Sequence, residues 1–376
     1  MLVAEEQRST SRFLIEPATP EDDAALRDLF HRTSMGSEIE VSFEREPSYF
    51  EALAIQGDQY EVGVIRDRYT GSIIGSGTRV MRKGFLNGQT ADTGYLGDLR
   101  IDPKYRNGTL AARIYRLLQS REHWCDWYYT VIFEENTQAL NTIATGRAGL
   151  PIYRDCGRML CPGVELRGKL PQLSVPGVIL RQAKRDDLPG IVDCLNRNLT
   201  RRQFSTVHQV EHFQNGKRWR GLDSEDFYIA EREGKIVGVI AAWDQSTFKQ
   251  TRIVRYHGHW RWTAPLSRLL APLRQAPGLP PPGDSLSYFY VCCVAVDEDD
   301  LDVFRVLLRE LYNAHVGKKW LYFMIGLHER DPFASVLKEY ARIPFVGRLF
   351  AVTLSEHSQQ PPALDGRIPS IEVSTL

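Results

Sequence analysis

The segment "DPKYRNGTLAARIYRLL" (102–118) places residues suited to anion binding at a change of local structure. The preceding "GYLGDLRI" (94–101) has the pattern of a strand, and the following apolar residues have helical spacing. A helix that begins directly after a strand presents free backbone N–H groups and the positive end of its dipole, which together favour a phosphate. Arg106 adds a side chain that can contact an anion through two N–H groups. The corner therefore predicts either a phosphate site or an ordinary strand-to-helix connection.

The overall composition is typical of a soluble globular protein with room for two domains. The 376 residues are 43% hydrophobic and 25% charged. Lys+Arg and Asp+Glu both number 47, so no basic excess indicates nucleic acid as a partner. The sequence starts without the apolar run of a signal peptide and has no stretch of ~18 uninterrupted apolar residues, which predicts no stable membrane insertion. Six cysteines without CxxC spacing indicate a reduced, cytoplasmic protein.

The order of predicted elements in the first half of the chain returns in the second half. "FLIEPATPEDDAALRDLF" (13–30) and "VILRQAKRDDLPGIVDCL" (178–195) each read as a strand, an acidic turn and a helix. The pair of strands at 60–80 has a counterpart at 227–243. Each half therefore reads β-α-α-β-β-β-α-β-α-β, which predicts an α/β fold with a mixed sheet covered by helices.

This repeat predicts two tandem domains. The first covers residues 1–166, a linker covers 167–177, and the second covers 178–355. An insertion at 244–285 contains "APGLPPPG", which cannot continue a helix or a strand. The tail 356–376 is expected to be irregular and to add little to a core.

The first half, at about residues 12–162, resembles the GCN5-related N-acetyltransferase (GNAT) family of acyl-CoA-dependent acyltransferases. The strand "YLGDLRID", the corner "PKYR" and the helix after it are similar to the family's acyl-CoA signature, Arg-x-x-Gly-x-Gly/Ala. Here the signature reads Arg106-x-x-Thr109-x-Ala111, with Thr109 in place of the first glycine. In the second half only the order of elements matches. Its corresponding corner, "DEDDLDVF" (297–304), carries five carboxylates that would repel a pyrophosphate, so this copy is interpreted as degenerate.

The resemblance implies a binding site for acetyl-CoA or another acyl-CoA, without a metal. The backbone of Leu99 and Ile101 is expected to bind the pantetheine arm and the acyl carbonyl. Asn136, which follows the fifth strand and opens a helix, is a further family feature in the site. The pyrophosphate is expected at Arg106, Asn107, Gly108, Thr109, Leu110 and Ala111.

The resemblance also implies a general acid. "IYRDCGRM" (152–159) is similar to the family's "FYxKxGF" ending and places Tyr153 where it would protonate the departing thiolate. The general base is open: Asp98 on the fourth strand can act through a water molecule. Other carboxylates are candidates for the base or for binding a cationic substrate: Glu134, Glu135, Glu38 and Glu40.

A second pattern with possible chemistry is "RYHGHWRW" (255–262), in which two histidines alternate as they would on a strand. Such a pair can ligate a metal, but the segment has no third ligand. An aromatic wall or a core-facing strand is the favoured interpretation.

The main hypothesis is an N-acyltransferase that acts on a small-molecule amine or a peptide, with its chemistry in the first half. One alternative is a long-chain N-acyltransferase that takes its acyl group from acyl-carrier protein. The other is a non-catalytic acyl-CoA sensor or interaction module.

Overall fold

The computed structural model describes residues 11–36, 38–106, 109–122, 124–143, 151–271, 277–354 and 363–376. Within these residues the strands form a nine-stranded sheet, a seven-stranded sheet and a two-stranded ribbon. Both large sheets are mixed and both are covered by helices, as the sequence predicts.

The first half follows the predicted order, with two additional short strands, β2 and β8. Its strands are β1 (Phe13–Pro17), β2 (Ile39–Glu44), β3 (Gln59–Asp67), β4 (Ile73–Leu86), β5 (Gln89–Ile101), β6 (Tyr128–Phe133), β7 (Ile152–Leu160) and β8 (Gly163–Glu165). Its helices are α1 (Asp23–Arg32), α2 (Tyr49–Leu53), α3 (Leu110–Gln119) and α4 (Thr137–Ile143).

The second half repeats this order until its last helix, which is replaced by a 3₁₀ helix at Pro332–Glu339. Its strands are β9 (Ile179–Gln182), β10 (Ser205–Thr206), β11 (Phe227–Arg232), β12 (Lys235–Trp243), β13 (Gln250–Tyr256), β14 (Tyr288–Val296), β15 (Tyr322–Ile325), β16 (Leu327–His328), β17 (Arg342–Ile343) and β18 (Val346–Thr353). Its helices are α5 (Leu188–Leu199), α6 (Val210–Gln214), α7 (Trp260–Leu269) and α8 (Leu301–His315).

The two halves exchange strands. The main path of the larger sheet runs β1-β3-β4-β5-β6-β18-β7-β16, so β18 from the second half lies between two strands of the first. The smaller sheet runs β17-β8-β15-β14-β12-β11-β9 and includes β8. The two halves therefore do not form separate sheets. Sequence periodicity identifies a strand but carries no information about a partner so distant in the chain.

Amphipathic helices fix the sheets. In α3, Leu110, Ile114 and Leu118 recur at every fourth position, which puts them on one helix face against Ile65 and Ile74. On α1, Leu26, Leu29 and Phe30 pack into a different cluster that includes strand residues of the same sheet. These two helices therefore fix the position of β5, the strand that leads into the predicted phosphate corner.

One ion pair marks the internal repeat. Arg32 at the end of α1 pairs with Asp102 after β5, and one of its guanidinium nitrogens also donates to the Ile73 carbonyl. In the second half, Arg197 on α5 makes the same two contacts, to Asp297 and to the Ile236 carbonyl. The repeat thus extends to the contacts that hold each strand end.

The described part of the tail, residues 363–376, is irregular apart from a short 3₁₀ helix at Val373–Thr375. Ile371 is buried in the same core cluster as α1, and Ser374 and Thr375 are also buried. The expectation that the tail adds little to a core is therefore wrong. Its apolar residues are too few and too irregularly spaced to show periodicity.

The insertion forms β13 and α7, and β13 pairs with β2 of the first half in an antiparallel ribbon. His257 and His259 lie in the turn between β13 and α7, so the predicted strand at "RYHGHWRW" is wrong. The turn begins where Gly258 takes a φ of 53°, a left-handed conformation that breaks the strand.

Candidate active site

The strands β5 and β6 separate within the larger sheet. Their parallel pairing is recorded at Gly94–Tyr128 and Tyr95–Tyr129. Beyond this point β5 continues along β4 as far as Ile101, while β6 continues along β18 as far as Phe133. The divergence leaves the edge of β5 after Tyr95 free for a ligand arm to lie against.

A β-bulge lies on the diverging part of β5. Along the β4–β5 ladder, Gly97 lies opposite Thr78 and Arg100 lies opposite Ser76. Two residues of β5, Asp98 and Leu99, therefore lie opposite the single residue Gly77 of β4. Asp98 has a φ of 51°, which is uncommon for a residue other than glycine. A bulge leaves its extra residue outside the ladder and re-aims the side chains around it.

Asp98 is held by a buried ion pair on the side of the sheet that carries α1. Arg45 Nη1 lies 2.6 Å from its Oδ2, and the two side chains are 5% and 11% exposed. Arg45 Nη2 donates to Oδ1 at 2.9 Å, and the Tyr49 hydroxyl donates to Oδ2 at 3.2 Å. Burial raises the pKa of Tyr49 well above its usual value. Both carboxylate oxygens are therefore already in use, and any acceptor or water must compete with Arg45 and Tyr49.

A lysine of the insertion reaches the same region from the second half. Lys249 Nζ donates to the backbone oxygens of Leu376 at 2.7 Å and Ser374 at 3.3 Å. Burial, aided by the positive charge of Arg45 and opposed by Asp98, lowers the pKa of Lys249 to about 7. This amine is therefore neutral in a substantial fraction of molecules near neutral pH, and it can accept a proton.

Tyr153 lies at the start of β7 on the opposite side of the sheet. Its hydroxyl donates to the Tyr115 hydroxyl on α3 at 2.6 Å, and its ring packs against Phe350. Burial raises the pKa of Tyr153 well above its usual value, so the hydroxyl keeps its proton at neutral pH. Leu99 packs into the same cluster, which brings this predicted acid beside the predicted pantetheine strand.

The predicted phosphate corner follows β5. Arg106 is exposed, and its Nε donates to the Ile101 carbonyl at 3.0 Å. Thr109 precedes α3 and makes no side-chain capping bond to it. Leu110 is a core residue and Ala111 is half-buried, so these two contribute backbone rather than side chains. Asn107 and Gly108 lie outside the described residues.

The remaining predicted residues have structural partners. Asn136 Oδ1 accepts the Ala139 N–H at 3.1 Å and so caps α4, while Glu134 pairs with Arg158 at 2.7 Å and Glu135 is exposed. Glu38 accepts a hydrogen bond from Trp260 Nε1 at 3.0 Å, and Glu40 accepts one from the Ser34 hydroxyl and contacts His257 Nε2. Both loop carboxylates thus fasten the insertion to the first half.

The second half contains a matching bulge that is filled. Cys293 has a φ of 53°, and the ladder passes from Cys292 opposite Ala241 to Ala295 opposite Val239. The Cys293 N–H donates to Glu372 Oε2 at 3.0 Å, so a carboxylate of the tail occupies the freed amide.

The tail also fills the space around this second bulge. A Cβ built on Gly326 would lie 2.3 Å from the Val373 side chain, so only a glycine admits the tail here. The cavity that remains beside Cys293 and Glu372 has a volume of about 50 Å³. Ligand pockets usually measure ~300 Å³ or more. Asp300 caps α8 through the Asp302 and Val303 N–H groups, at 3.0 and 3.2 Å.

A larger open cleft of about 590 Å³ lies at the far end of α3, beyond Ser120. Its Arg79 pairs with Glu61 at 2.8 Å and stacks on Trp124 with 4.0 Å between the guanidinium carbon and the ring centre. Because its central polar groups are paired with each other and none of the predicted site residues lines it, we assign it no catalytic role.

No group of three or more His, Cys, Asp or Glu side chains with metal-site geometry occurs among the described residues. All six cysteines are free thiols.

Sequence reasoning missed Arg45, Tyr49 and Lys249. Arg45 and Lys249 lie in irregular segments without a recognisable motif, and neither charge nor spacing marks them. The available signal was Asp98 itself, since a carboxylate in a strand segment between Leu96 and Leu99 requires a partner if it is buried.

The fold matches known structures, although no family model and no curated protein matches the sequence. A GCN5-related N-acetyltransferase from Sphaerobacter thermophilus superposes with a TM-score of 0.58 at 12% identity, over 95% of this chain and 99% of that one. An N-myristoyltransferase from Saccharomyces cerevisiae with bound myristoyl-CoA gives 0.58 at 13% identity, over 91% and 78%.

A tandem GNAT protein from the clavulanic acid biosynthesis pathway gives a TM-score of 0.56 at 10% identity, over 92% of this chain and 100% of that one. These identities are low, and the likeness is one of fold. This chain has the fold of the GCN5-related N-acetyltransferases, and a tandem protein of that fold matches it over most of its length.

Proposed function

We propose that the protein is an N-acyltransferase that moves an acyl group, most simply acetyl, from acyl-CoA to an amine, and that the reaction takes place in the first half. The observation that carries this proposal is the contrast between the two bulges. At Asp98 the strands diverge and the next helix, α3, begins without a side-chain cap. At Cys293 the freed amide binds Glu372 and α8 is capped by Asp300. We keep 1–166 and 178–355 as the proposed repeat units and a reduced, cytoplasmic location as a prediction.

The arrangement supports a specific path for the donor. The pantetheine arm would lie along the backbone of Leu99 and Ile101, where β5 has left β6. The pyrophosphate would bind at the N-terminus of α3, with Arg106 and the backbone of 107–111 as donors. Asn136 is proposed as a residue that shapes the site by capping α4 rather than as a direct ligand.

The chemistry requires few protein groups. The amine nitrogen attacks the thioester carbonyl carbon, the carbon–sulfur bond breaks, and the sulfur leaves with the bonding electron pair. Tyr153 is proposed to give this thiolate its proton, because its hydroxyl stays protonated and lies beside the Leu99 cluster. The amine loses one proton, so the products are an amide and CoA.

We propose two candidates for the group that receives the amine's proton. Asp98 was predicted from the sequence, and its ion pair with Arg45 suggests that it also holds the bulge in shape. Lys249 is the second candidate, because its lowered pKa of about 7 leaves much of it neutral. The pH dependence of turnover tests Lys249, which as the base would give an inflection near pH 7.

The acceptor is proposed to be a small-molecule amine or a peptide, and no metal is proposed in the reaction. The acyl chain length is open to experiment, since a structure matched as well as the acetyltransferase holds myristoyl-CoA. Transfer from acyl-carrier protein instead of CoA is the alternative donor.

Calorimetry with CoA and acetyl-CoA tests the proposal, with one site expected per chain. Arg106→Ala should weaken binding by ~1.5–3 kcal/mol, or roughly 10- to 150-fold, the scale of a hydrogen bond to a charged group. Arg116→Ala is the matched control, since Arg116 is exposed on the same helix away from its N-terminus. Two equivalent sites would contradict the assignment to the first half. Unchanged affinity in Arg106→Ala would favour the carrier-protein donor, and absence of turnover with any acyl-CoA would favour a sensor.

A further inference from the structure

The insertion presents an apolar ridge to solvent. Trp262, Leu266 and Leu269 of α7 are 79%, 51% and 75% exposed. Their spacing of four and three residues places them on one face of the helix. The opposite face is used internally, because Ala264 is buried against Ile253 and Tyr256. The helix is therefore anchored on one side and carries three large apolar side chains on the other.

The charge around this ridge is strongly one-sided. Residues 245–283 contain one lysine, five arginines and no aspartate or glutamate, and are bordered by Asp244 and Asp284, in a chain that has 47 charges of each sign in total. Arg255 and Arg261 are exposed. Three carboxylates of the first half are engaged with the insertion: Glu38 accepts a hydrogen bond from Trp260, Glu40 contacts His257, and Glu44 pairs with Arg252.

The ridge is held in a fixed position. β13 pairs with β2 along the ribbon, from Gln250 opposite Glu44 to Tyr256 opposite Ile39. Arg268 donates to the Leu279 carbonyl at 3.0 Å and closes the insertion behind the helix. The apolar side chains therefore project from a supported surface, and little ordering is needed before they bind.

We propose that α7 docks this protein onto an anionic lipid surface, with Trp262, Leu266 and Leu269 among the acyl chains and Arg255 and Arg261 at the phosphate headgroups. Tryptophan and leucine on one face with arginine beside them is the composition of interfacial helices. This docking is peripheral: among the described residues no helix is long and apolar enough to cross a membrane.

The shape of the ridge favours lipid over a protein partner. A ten-residue helix is ~15 Å long, and three side chains on it supply far less than the ~800 Å² that each partner contributes to a stable protein interface. A convex ridge needs a groove in a protein partner, whereas a lipid surface deforms around it. The proposal is independent of the catalytic function proposed above.

Co-sedimentation with vesicles tests the proposal. We expect the full chain to sediment with vesicles of equal parts phosphatidylglycerol and phosphatidylcholine, and much less with phosphatidylcholine alone. Binding should decrease as salt is raised, because the arginine contacts are screened. Trp262→Ser combined with Leu266→Ser and Leu269→Ser should reduce binding by ~10-fold or more. Arg255→Ala with Arg261→Ala should reduce binding to the anionic vesicles specifically.

The control is an equally exposed pair of apolar side chains elsewhere, Tyr69 and Ile179, at 80% and 67% exposure. Tyr69→Ser with Ile179→Ser should leave vesicle binding unchanged, and all variants should unfold at the temperature of the parent chain. Failure of the parent chain to bind anionic vesicles would overturn the proposal, as would an equal loss in the control. A parent chain that self-associates in sedimentation velocity, and loses this with the triple change, would instead identify the ridge as a protein interface.

Discussion

The strands β5 and β14 share a bulge and a strand-end ion pair, and the corners that follow them have different contents. Each strand carries one bulge residue with φ near 50°, Asp98 and Cys293, and each ends at an aspartate paired with an arginine on the first helix of its half. The first corner continues into α3 without a side-chain cap and with Arg106 exposed. The second continues into α8, which is capped by Asp300.

The comparison distinguishes the features that the fold requires from the features that ligand binding requires. The bulge and the strand-end ion pair occur in both halves, so they belong to the fold. The groups that could contact a donor differ between the two corners. In the second half, Glu372 accepts from the freed amide of the bulge, and Asp300 caps the N-terminus of α8. The comparison therefore predicts which substitutions affect acyl transfer and which affect stability alone.

The largest expected effect is on turnover. Tyr153→Phe removes the proposed proton donor and keeps the ring against Phe350, so turnover should fall by ~100- to ~10,000-fold while acyl-CoA affinity stays nearly constant. Steady-state rates and calorimetry measure the two quantities separately. Tyr340→Phe, which changes a tyrosine of the second half, is the control and should keep its activity. A Tyr153→Phe protein with full turnover would make Tyr153 a packing residue.

The next largest effect is expected on stability, at the ion pair between Arg45 and Asp98. Among the described residues, the bulge at Cys293 has no such pair. Arg45→Ala leaves the Asp98 carboxylate without its buried partner, and breaking such a pair typically costs ~3–5 kcal/mol. Cys293→Ala at the other bulge should cost ~1 kcal/mol, the ordinary effect of a substitution. Urea unfolding measures both. Adding Asp98→Asn to Arg45→Ala should restore part of the loss, and equal costs at the two bulges would contradict the comparison.

The sequence predicted the fold better than the site. Local periodicity and turn residues determine the order of strands and helices in the first half, and this order was predicted except for β2 and β8. The exchange of strands between the halves was not predicted, because β18 pairs with β6 across more than two hundred positions and no local sequence pattern indicates such a distant partner. Leu99 and Tyr153 were predicted as site residues through a motif and stay predictions. Arg45 and Lys249 come from segments without a motif and reach the surroundings of Asp98 only through folding.

The filled bulge gives stability a pH dependence. Burial raises the pKa of Glu372, so the folded protein binds this proton more tightly than the unfolded chain does. The resulting stabilisation is complete below the usual pKa of a glutamate and is lost as pH rises through the raised value. Glu372→Gln should therefore be more stable than the parent at neutral pH, and the difference should disappear in acid.

Urea unfolding across this pH range measures the difference. Glu135→Gln is the control, since Glu135 is exposed and a surface substitution should leave stability nearly unchanged. A Glu372→Gln curve parallel to that of the parent would show that the carboxyl is not desolvated, and the second bulge would then be open to a ligand.

The smallest effect, and the sharpest test of the comparison, exchanges the helix caps. Thr109→Asp gives α3 the kind of carboxylate that Asp300 supplies to α8. An aspartate cap beside the positive end of the dipole should stabilise the protein by ~0.5–1 kcal/mol. The same carboxylate competes for the N–H groups proposed to bind pyrophosphate and repels it, so CoA affinity should fall. Stability and affinity thus change in opposite directions.

Two further variants show whether charge or capping causes the expected loss of CoA affinity in Thr109→Asp. Thr109→Asn caps the helix without a charge, so it should stabilise α3 and reduce CoA affinity less than Thr109→Asp does. Asp300→Ala removes the cap of α8 and should cost ~0.5–2 kcal/mol while CoA affinity stays the same. Calorimetry with CoA and thermal unfolding measure both properties of each variant. If Thr109→Asp gains stability and keeps full affinity, the pyrophosphate does not bind at α3, and the difference between the two corners concerns folding alone.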